Sequence, residues 1–323
     1  MIILQLAGGL GNQMFQYALY LQLKSLGREV KIDDASGFLE DMQRDPALAP
    51  FGIDYERPSR KELRLLLDDS MLPWDRVRRK LFGRKKKSYF EEGKLFLPQV
   101  LTWDEIYLEG YWQTEKYFRP VETQVREAYD TDSLIAWLKQ DGYWDRAGRD
   151  DERTVRQYLE EIESTCSVSV HVRRGDYLTP ENQALFGGIC TDAYYIEAIR
   201  QMRERYPQCR FYLFCNDREW GRQEQWGEDD FTRILLPEIT ESTGKNRVTD
   251  YAEFVLMSRC KHHILANSSF SWWASYLNPN PDKTVLVPDT WLNGIDCRDF
   301  YREDMQKIAD VIKNKKESVV YEG

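Results

Sequence analysis

At 323 residues, with 42% hydrophobic and 31% charged residues, the chain has the length of about two globular domains with real cores. Its 54 acidic residues against 45 basic ones leave a net charge of −9, which excludes a general attraction for nucleic acid or an anionic membrane. Any anionic ligand must therefore be held by a local basic site.

Six cysteines, Cys166, Cys190, Cys209, Cys215, Cys260 and Cys297, are scattered without a CxxC pair. That pattern predicts free thiols in a reducing compartment. The opening Met1–Gln13 lacks a basic region followed by a long apolar run, and no window approaches a membrane span. The expectation is a cytoplasmic protein. The basic run Arg84-Lys85-Lys86-Lys87 reads first as a solvated face and second as a peripheral contact with the inner membrane face. The sequence carries no signal for an oligomeric state.

Ile2–Leu6 is an apolar strand, followed by Ala7-Gly8-Gly9-Leu10-Gly11 and a helical pattern from Asn12 to about Leu26. Asn12 is a candidate cap and Gly27 a candidate stop. With a second strand at Glu29–Asp33, this is a β-loop-α-β unit with a glycine-rich turn. Met14 stands where a dinucleotide fingerprint needs its third glycine, and no Lys-Ser or Lys-Thr follows as in a P-loop. Ligand contact and a plain tight turn are both open there. Ile106–Leu108 reads as a strand, and Gly110-Tyr111-Trp112-Gln113 leads to a helix from about Thr114. Residues 130–153 are charged with little apolar periodicity, so the domain boundary is drawn at 150. Asp130-Thr131-Asp132 is formally a metal-binding D-x-D, but it follows a polar helix and reads as a helix cap.

The second half alternates strands and helices. The strand Cys166–Val172 reads as half-buried, with Val168, Val170 and Val172 opposite Ser167, Ser169, His171 and Arg173. It ends in Arg173-Arg174-Gly175-Asp176. Helices are expected at about Thr191–Tyr206, Asp217–Trp226 and Thr249–Arg259, and another begins near Ser268. Strands are expected at Arg210–Cys215, His262–Ala266 and Thr284–Val287, and a last helix at about Tyr301–Lys313. The alternation argues for a parallel, doubly wound sheet.

Three strand ends then present polar groups: His171, Arg173 and Asp176; Asn216 and Asp217; and Asn267, Ser268 and Ser269 at a helix start. Open α/β sheets bind ligands at such ends. An arginine fork opposite a helix N-terminus suits a diphosphate. Ser268 or Ser269 also fits a cap. Asp250, at the start of the preceding helix, fits either a cap or a partner for guanine.

These segments resemble the bacterial α-1,2-fucosyltransferases of glycosyltransferase family 11. The resemblance rests on Gly8–Ala18, His171–Tyr177, Phe214-Cys215-Asn216-Asp217 and Asn267–Trp273, with Gly110–Gln113 as a lesser marker. The family's third segment usually carries an acidic pair, and Asn216 departs from it. The resemblance implies an α/β, GT-B-type fold: two Rossmann-like doubly wound domains facing across a cleft, with residues 1–150 on the acceptor side and 151–323 binding GDP-fucose. It implies transfer of L-fucose from GDP-β-L-fucose to the 2-hydroxyl of a β-galactoside, with inversion and without a metal or other cofactor. His171 and Arg173 would contact GDP, Asn267, Ser268 and Ser269 the phosphates, and Asp250 the guanine. Arg174, Asn216 and Asp217 complete the donor side. The loop with Gly9, Gly11, Asn12 and Gln13 would line the sugar side.

The residue types fit that chemistry. Arg173 and a helix N-terminus can stabilise a leaving diphosphate in place of a metal. Only His171, His262 and His263 are histidines, which offers no zinc cluster. Asp176 is the candidate general base, with orientation of an arginine as its alternative role. Competing classes are a nucleotide-dependent oxidoreductase, which the missing third glycine disfavours, and an adhesion module displaying Arg174-Gly175-Asp176, which the lack of a secretion signal disfavours.

Overall fold

The computed structural model describes residues 1–39, 41, 44–68, 72–82, 87–91, 93–146, 153–223, 226, 230–237, 239 and 248–308. The chain divides into two compact units, the first Met1–Tyr129 and the second beginning at Asp130. Two parallel-stranded α/β units in one chain are the GT-B-type organisation expected from the sequence.

In the first unit, β1 (Ile2–Gln5), β2 (Val30–Asp33), β3 (Ser88–Phe90) and β4 (Ile106–Glu109) form a parallel sheet in the order β2-β1-β4-β3. Helix α1 (Leu10–Ser25) follows β1 and buries Met14, Phe15, Ala18, Leu19 and Leu23. Helix α2 (Arg60–Leu67) is started by Ser59 and Glu62, each bonding the other's backbone, and sets Leu66 beside Ile3 and Tyr107. Helix α3 (Pro73–Phe82) follows. The helix expected from Thr114 does not begin there. Thr114 opens a single 3-10 turn and Pro120 a second, so α4 (Glu122–Ala128) starts only beyond them. Asn12 does not cap α1. Gly9 occupies that position without a side-chain bond, while Gly27 closes the helix at φ 72° as expected.

The second unit opens with α5 (Thr131–Gln140) and α6 (Val155–Ser164). Asp130 caps α5 by accepting from the amides of Asp132 and Ser133, as read from the sequence. Six parallel strands follow: β5 (Cys166–Val172), β6 (Cys209–Cys215), β7 (Phe231–Arg233), β8 (His262–Ile264), β9 (Val285–Pro288) and β10 (Met305–Ile308). The helices between them are α7 (Pro180–Phe186), α8 (Asp192–Arg205), α9 (Arg218–Gln223), α10 (Val248–Arg259) and α11 (Ser269–Leu277).

The strand order is β10-β9-β8-β5-β6-β7. Counted from β5 as first, this is the 3-2-1-4-5-6 order of dinucleotide-binding sheets, read from its β7 end. Strand β5 is consequently central and buried on both faces, not half-buried. Its valines pack against Tyr195, Ala198, Ile199 and Met202 of α8. On the other face Ser169 bonds the His263 ring at 2.8 Å and His171 meets Phe270 of α11. The helix expected near Tyr301–Lys313 is replaced, as far as Ile308, by edge strand β10; residues 309–323 lie outside the described set. All six cysteines are free, as expected. Among the described residues no helix is long and apolar enough to cross a membrane.

Candidate active site

In a doubly wound sheet the chain leaves the first strand in one direction and later returns to its other side. The loops at the carboxyl ends of those two neighbours diverge and leave a crevice. In the second unit the divergence lies between β5 and β8. The loop after β5 carries Arg173 to Tyr177, and the loop after β8 carries Asn267 and Ser268 into α11. The structure thus brings the first and third of the expected strand ends to one crevice.

His171 is the penultimate residue of β5. It is 5% exposed, and its Nδ1 has no hydrogen-bond partner. Burial, followed by the nearby positive charge of Arg173, pushes its pKa down to about 3, so the ring is neutral at physiological pH. Tyr195 donates to the backbone carbonyl of His171 at 3.0 Å and fixes this end of the strand.

Arg173 and Arg174 lie just past β5, so strand alternation does not set their directions. Contacts do. The Arg173 guanidinium stands over the Tyr177 ring at 5.6 Å. Arg174 turns toward β6: its Nε meets Asp217 Oδ2 at 3.3 Å and its guanidinium covers Trp220 at 4.7 Å. The two arginines therefore have different surroundings, and Arg174 pairs with the carboxylate of Asp217.

Asn216 organises the turn. Its Oδ1 accepts the Arg174 amide at 2.8 Å, and its Nδ2 lies 2.8 Å from where a Cβ on Gly175 would stand. Gly175 has φ 54°, a conformation costly for other residues. Asp217 also accepts from the amide of Trp220 at 3.0 Å, tying the start of α9 to β6. Asp176 sits in the 3-10 turn Gly175–Leu178, and its side chain is outside the described set.

The loop after β8 carries the third of the expected strand ends. The Asn267 side chain is 2% exposed and engaged at both ends, donating to the Trp291 carbonyl at 3.2 Å and accepting from Cys190 Sγ at 3.5 Å. These two bonds pin its loop. Ser268 is the N-cap of α11, accepting from the Phe270 amide, and Ser269 is the first helical residue. Asp250 occupies the first turn of α10, half-exposed. Tyr177 has a role that was not read from the sequence. Its hydroxyl donates to the Asn267 carbonyl at 2.9 Å and its ring stacks on Phe186 at 4.3 Å, bridging the two sides of the crevice. Its place at the end of the His171–Tyr177 segment was the available signal; Trp291 and Cys190 gave none.

The D-x-D carboxylates are engaged elsewhere: Asp130 caps α5 and Asp132 pairs with Arg259.

In the first unit the corresponding divergence lies between β1 and β4. Gln16 stitches it, accepting from the Ala7 amide at 3.0 Å and donating to the Gly110 carbonyl at 2.7 Å. Gln13, expected to line a sugar surface, is fully buried. Its amide donates to the carbonyls of Gly8 and Asp45 and accepts from Ala47, so it shapes the glycine turn. Asn12 accepts from Gln113 Nε2 at 2.8 Å. Gly9 opens α1 in extended conformation, Gly11 is its second residue, and Gly8 carries the positive φ of 76°. The carboxylate of Glu91, 8% exposed, accepts from the amides of Tyr111 and Trp112 and holds Trp112 at φ 55°.

Residues 151–308, which contain both sides of the β5/β8 crevice, match the sequence model of glycosyl transferase family 11. The second unit is thus similar to the family 11 glycosyltransferases over just under half of the chain. An α-1,2-colitosyltransferase of Escherichia coli is 27% identical over 93% of this chain and 95% of its own. An Escherichia coli O-antigen biosynthesis glycosyltransferase, WbnK, is 29% identical over 90% of this chain and 94% of its own. A galactoside α-(1,2)-fucosyltransferase 1 of the monkey Saimiri boliviensis boliviensis is 27% identical over 84% of this chain and 63% of its own. The matched range contains the crevice-bearing sheet and its switch point.

Proposed function

We propose that the protein is an inverting glycosyltransferase that moves L-fucose from GDP-β-L-fucose to the 2-hydroxyl of a terminal β-galactoside, forming an α-1,2 linkage. The observation that carries this reading is that Arg173 and the Ser268-capped start of α11 come together at the β5/β8 switch point of a region similar to family 11, with the Arg174–Asp217 pair bracing the turn from the β6 side. The α-1,2 activities named for the colitosyltransferase and the galactoside fucosyltransferase support the linkage.

In this reading the acceptor O2 attacks the anomeric carbon of fucose as the bond from that carbon to the β-phosphate oxygen breaks. GDP departs with the electron pair, and the acceptor proton passes to Asp176. Arg173 and the positive end of α11 stabilise the charge that grows on the diphosphate. His171, neutral and buried, donates or accepts one hydrogen bond at the crevice wall. Asp250 pairs with the guanine. Asn12 and the turn at Gly9 and Gly11 face the sugar side.

Transfer without a metal is part of this reading, supported by the arginine and helix end and by the cap and ion-pair roles of Asp130 and Asp132. The colitosyltransferase relative favours one second reading, in which the donor is GDP-colitose on the same site. Calorimetric titration tests the assignment. GDP should bind more tightly than ADP or UDP, and GDP-fucose should compete with GDP more effectively than GDP-colitose. Equal affinity for the three diphosphates would remove the guanine role of Asp250, and preference for GDP-colitose would select the second reading.

A further inference from the structure

Helix α3 departs from the chemistry of the rest of the surface. Among the described residues, twelve large hydrophobic side chains are exposed, and six of them, Leu65, Leu72, Trp74, Val77, Leu81 and Phe82, fall between positions 65 and 82. Trp74 is 84% exposed, Phe82 76% and Leu81 69%. These side chains do not cover the core of the first unit.

The helical period sorts them. Trp74, Val77 and Leu81 are spaced three and seven residues apart and share one stripe, with Phe82 at its margin. Lys80 flanks the stripe beside Val77, and Arg76, four residues earlier and also exposed, lies further round the helix. Arg78, close to the stripe, pairs with Asp68 beyond the helix. The ten-residue helix carries four basic residues and one acidic one, on a chain whose net charge is −9. Its polar face is thus cationic on a protein otherwise biased to negative charge.

An outward apolar stripe flanked by cations matches one kind of surface particularly well: acyl chains below anionic headgroups. A second copy of this chain fits worse, because Lys80 and Arg78 flank the stripe and two α3 helices packed stripe to stripe would bring these like charges together. A polyanion without apolar surface would leave Trp74, Leu81 and Phe82 in water.

We propose that α3 docks the protein on an anionic lipid surface, with Trp74, Val77 and Leu81 entering the headgroup boundary and Arg76 and Lys80 facing the phosphates. This docking is independent of the transferase reading, since vesicle binding is measured without donor or acceptor.

The test is flotation of the full chain with vesicles of phosphatidylcholine alone or mixed with phosphatidylglycerol, at low and high salt. Binding should require the anionic lipid and weaken with salt. Paired substitution Arg76→Glu with Lys80→Glu should lower partitioning roughly tenfold or more, from loss of the attraction of two basic groups. Trp74→Ser with Leu81→Ser should abolish binding while leaving the thermal midpoint unchanged, since neither side chain is buried. Lipids brominated on their acyl chains should quench the protein's emission, and Trp74→Phe should keep the binding and lose most of that quenching. Equal binding to neutral and anionic vesicles would overturn the proposal, as would wild-type binding by the Ser variants. So would a dimer in sedimentation that the Ser variants dissolve without any vesicle binding, because that assigns the stripe to a second copy.

Discussion

Replacing Gly175 with alanine tests whether the turn after β5 is built as described. Gly175 has φ 54°, and an alanine there costs about 1 kcal/mol in backbone strain. Its Cβ would also stand 2.8 Å from Asn216 Nδ2. The Asn216 amide must withdraw, and with it goes the bond its Oδ1 accepts from the Arg174 amide, about 1 kcal/mol net. The sum is about 2 kcal/mol, or roughly 4–8 °C in thermal midpoint for a unit of this size. Asn216→Ala alone should cost about 1 kcal/mol. The double variant should cost about 2 kcal/mol, less than the summed singles, because the clash has nothing left to displace. Chemical denaturation of the four proteins measures this cycle. Titration with GDP should show weaker binding in Gly175→Ala, since the turn sets both arginines. Additive costs in the cycle would mean that Gly175 and Asn216 do not act on one another, and the account of the turn would be wrong.

The two arginines should respond differently. Arg173→Lys should lower kcat by roughly 100-fold, as for loss of a donor to a developing charge. Arg174→Lys, which keeps a cation beside Asp217, should retain much of the activity; the reverse pattern in steady-state kinetics would move the diphosphate role to Arg174. All three histidines are held neutral: burial lowers the pKa of His171 to about 3 and of His262 to about 4, and drives that of His263 well below its usual value. Folded-state pKa values below the unfolded value of about 6.5 make the stability they contribute complete above that pH. It is lost as pH falls toward the folded values, at up to about 1.4 kcal/mol per pH unit for each ring. Urea unfolding at pH 7 and pH 5 should show this loss, and His263→Gln should flatten it; a pH-independent midpoint would contradict the burial. Activity should survive EDTA, and loss restored by manganese would mean that a metal serves where Arg173 and α11 are assigned.

Much of this arrangement was legible in the sequence where local chemistry and tertiary placement agree. The β1–glycine turn–α1 unit, the valine alternation of β5 and the serine cap of α11 are written in short-range pattern. Where tertiary packing overrides pattern, the reading failed. Ser167, Ser169 and His171 look solvent-facing by alternation, yet helices cover both faces of the sheet and the serines are buried there. Met305 and Ile308 are three apart and read as a helix face, but they are the two buried ends of an edge strand. Strands β3 and β7 are three residues long and carry too little periodicity to be seen. At the site, Gln13 and Asn267 are polar residues in motifs, which suggests ligand contact, but the Gln13 amide is engaged by backbone groups and the Asn267 amide by the Trp291 carbonyl and the Cys190 thiol. Only three-dimensional neighbours such as Asp45 and Trp291 disclose that. The shared crevice of β5 and β8 follows from strand order, which the sequence alone does not print.

The central claim is that the β5/β8 crevice transfers fucose from GDP to a galactoside. It is tested most directly by incubating the purified chain with GDP-β-L-fucose and a panel of β-galactosides, then assigning the product linkage by NMR. The account predicts an acceptor-dependent product with α-linked fucose on the galactose 2-oxygen, and its loss in Arg173→Ala. Transfer to another hydroxyl, retention of the β configuration, or an undiminished rate in Arg173→Ala would contradict it.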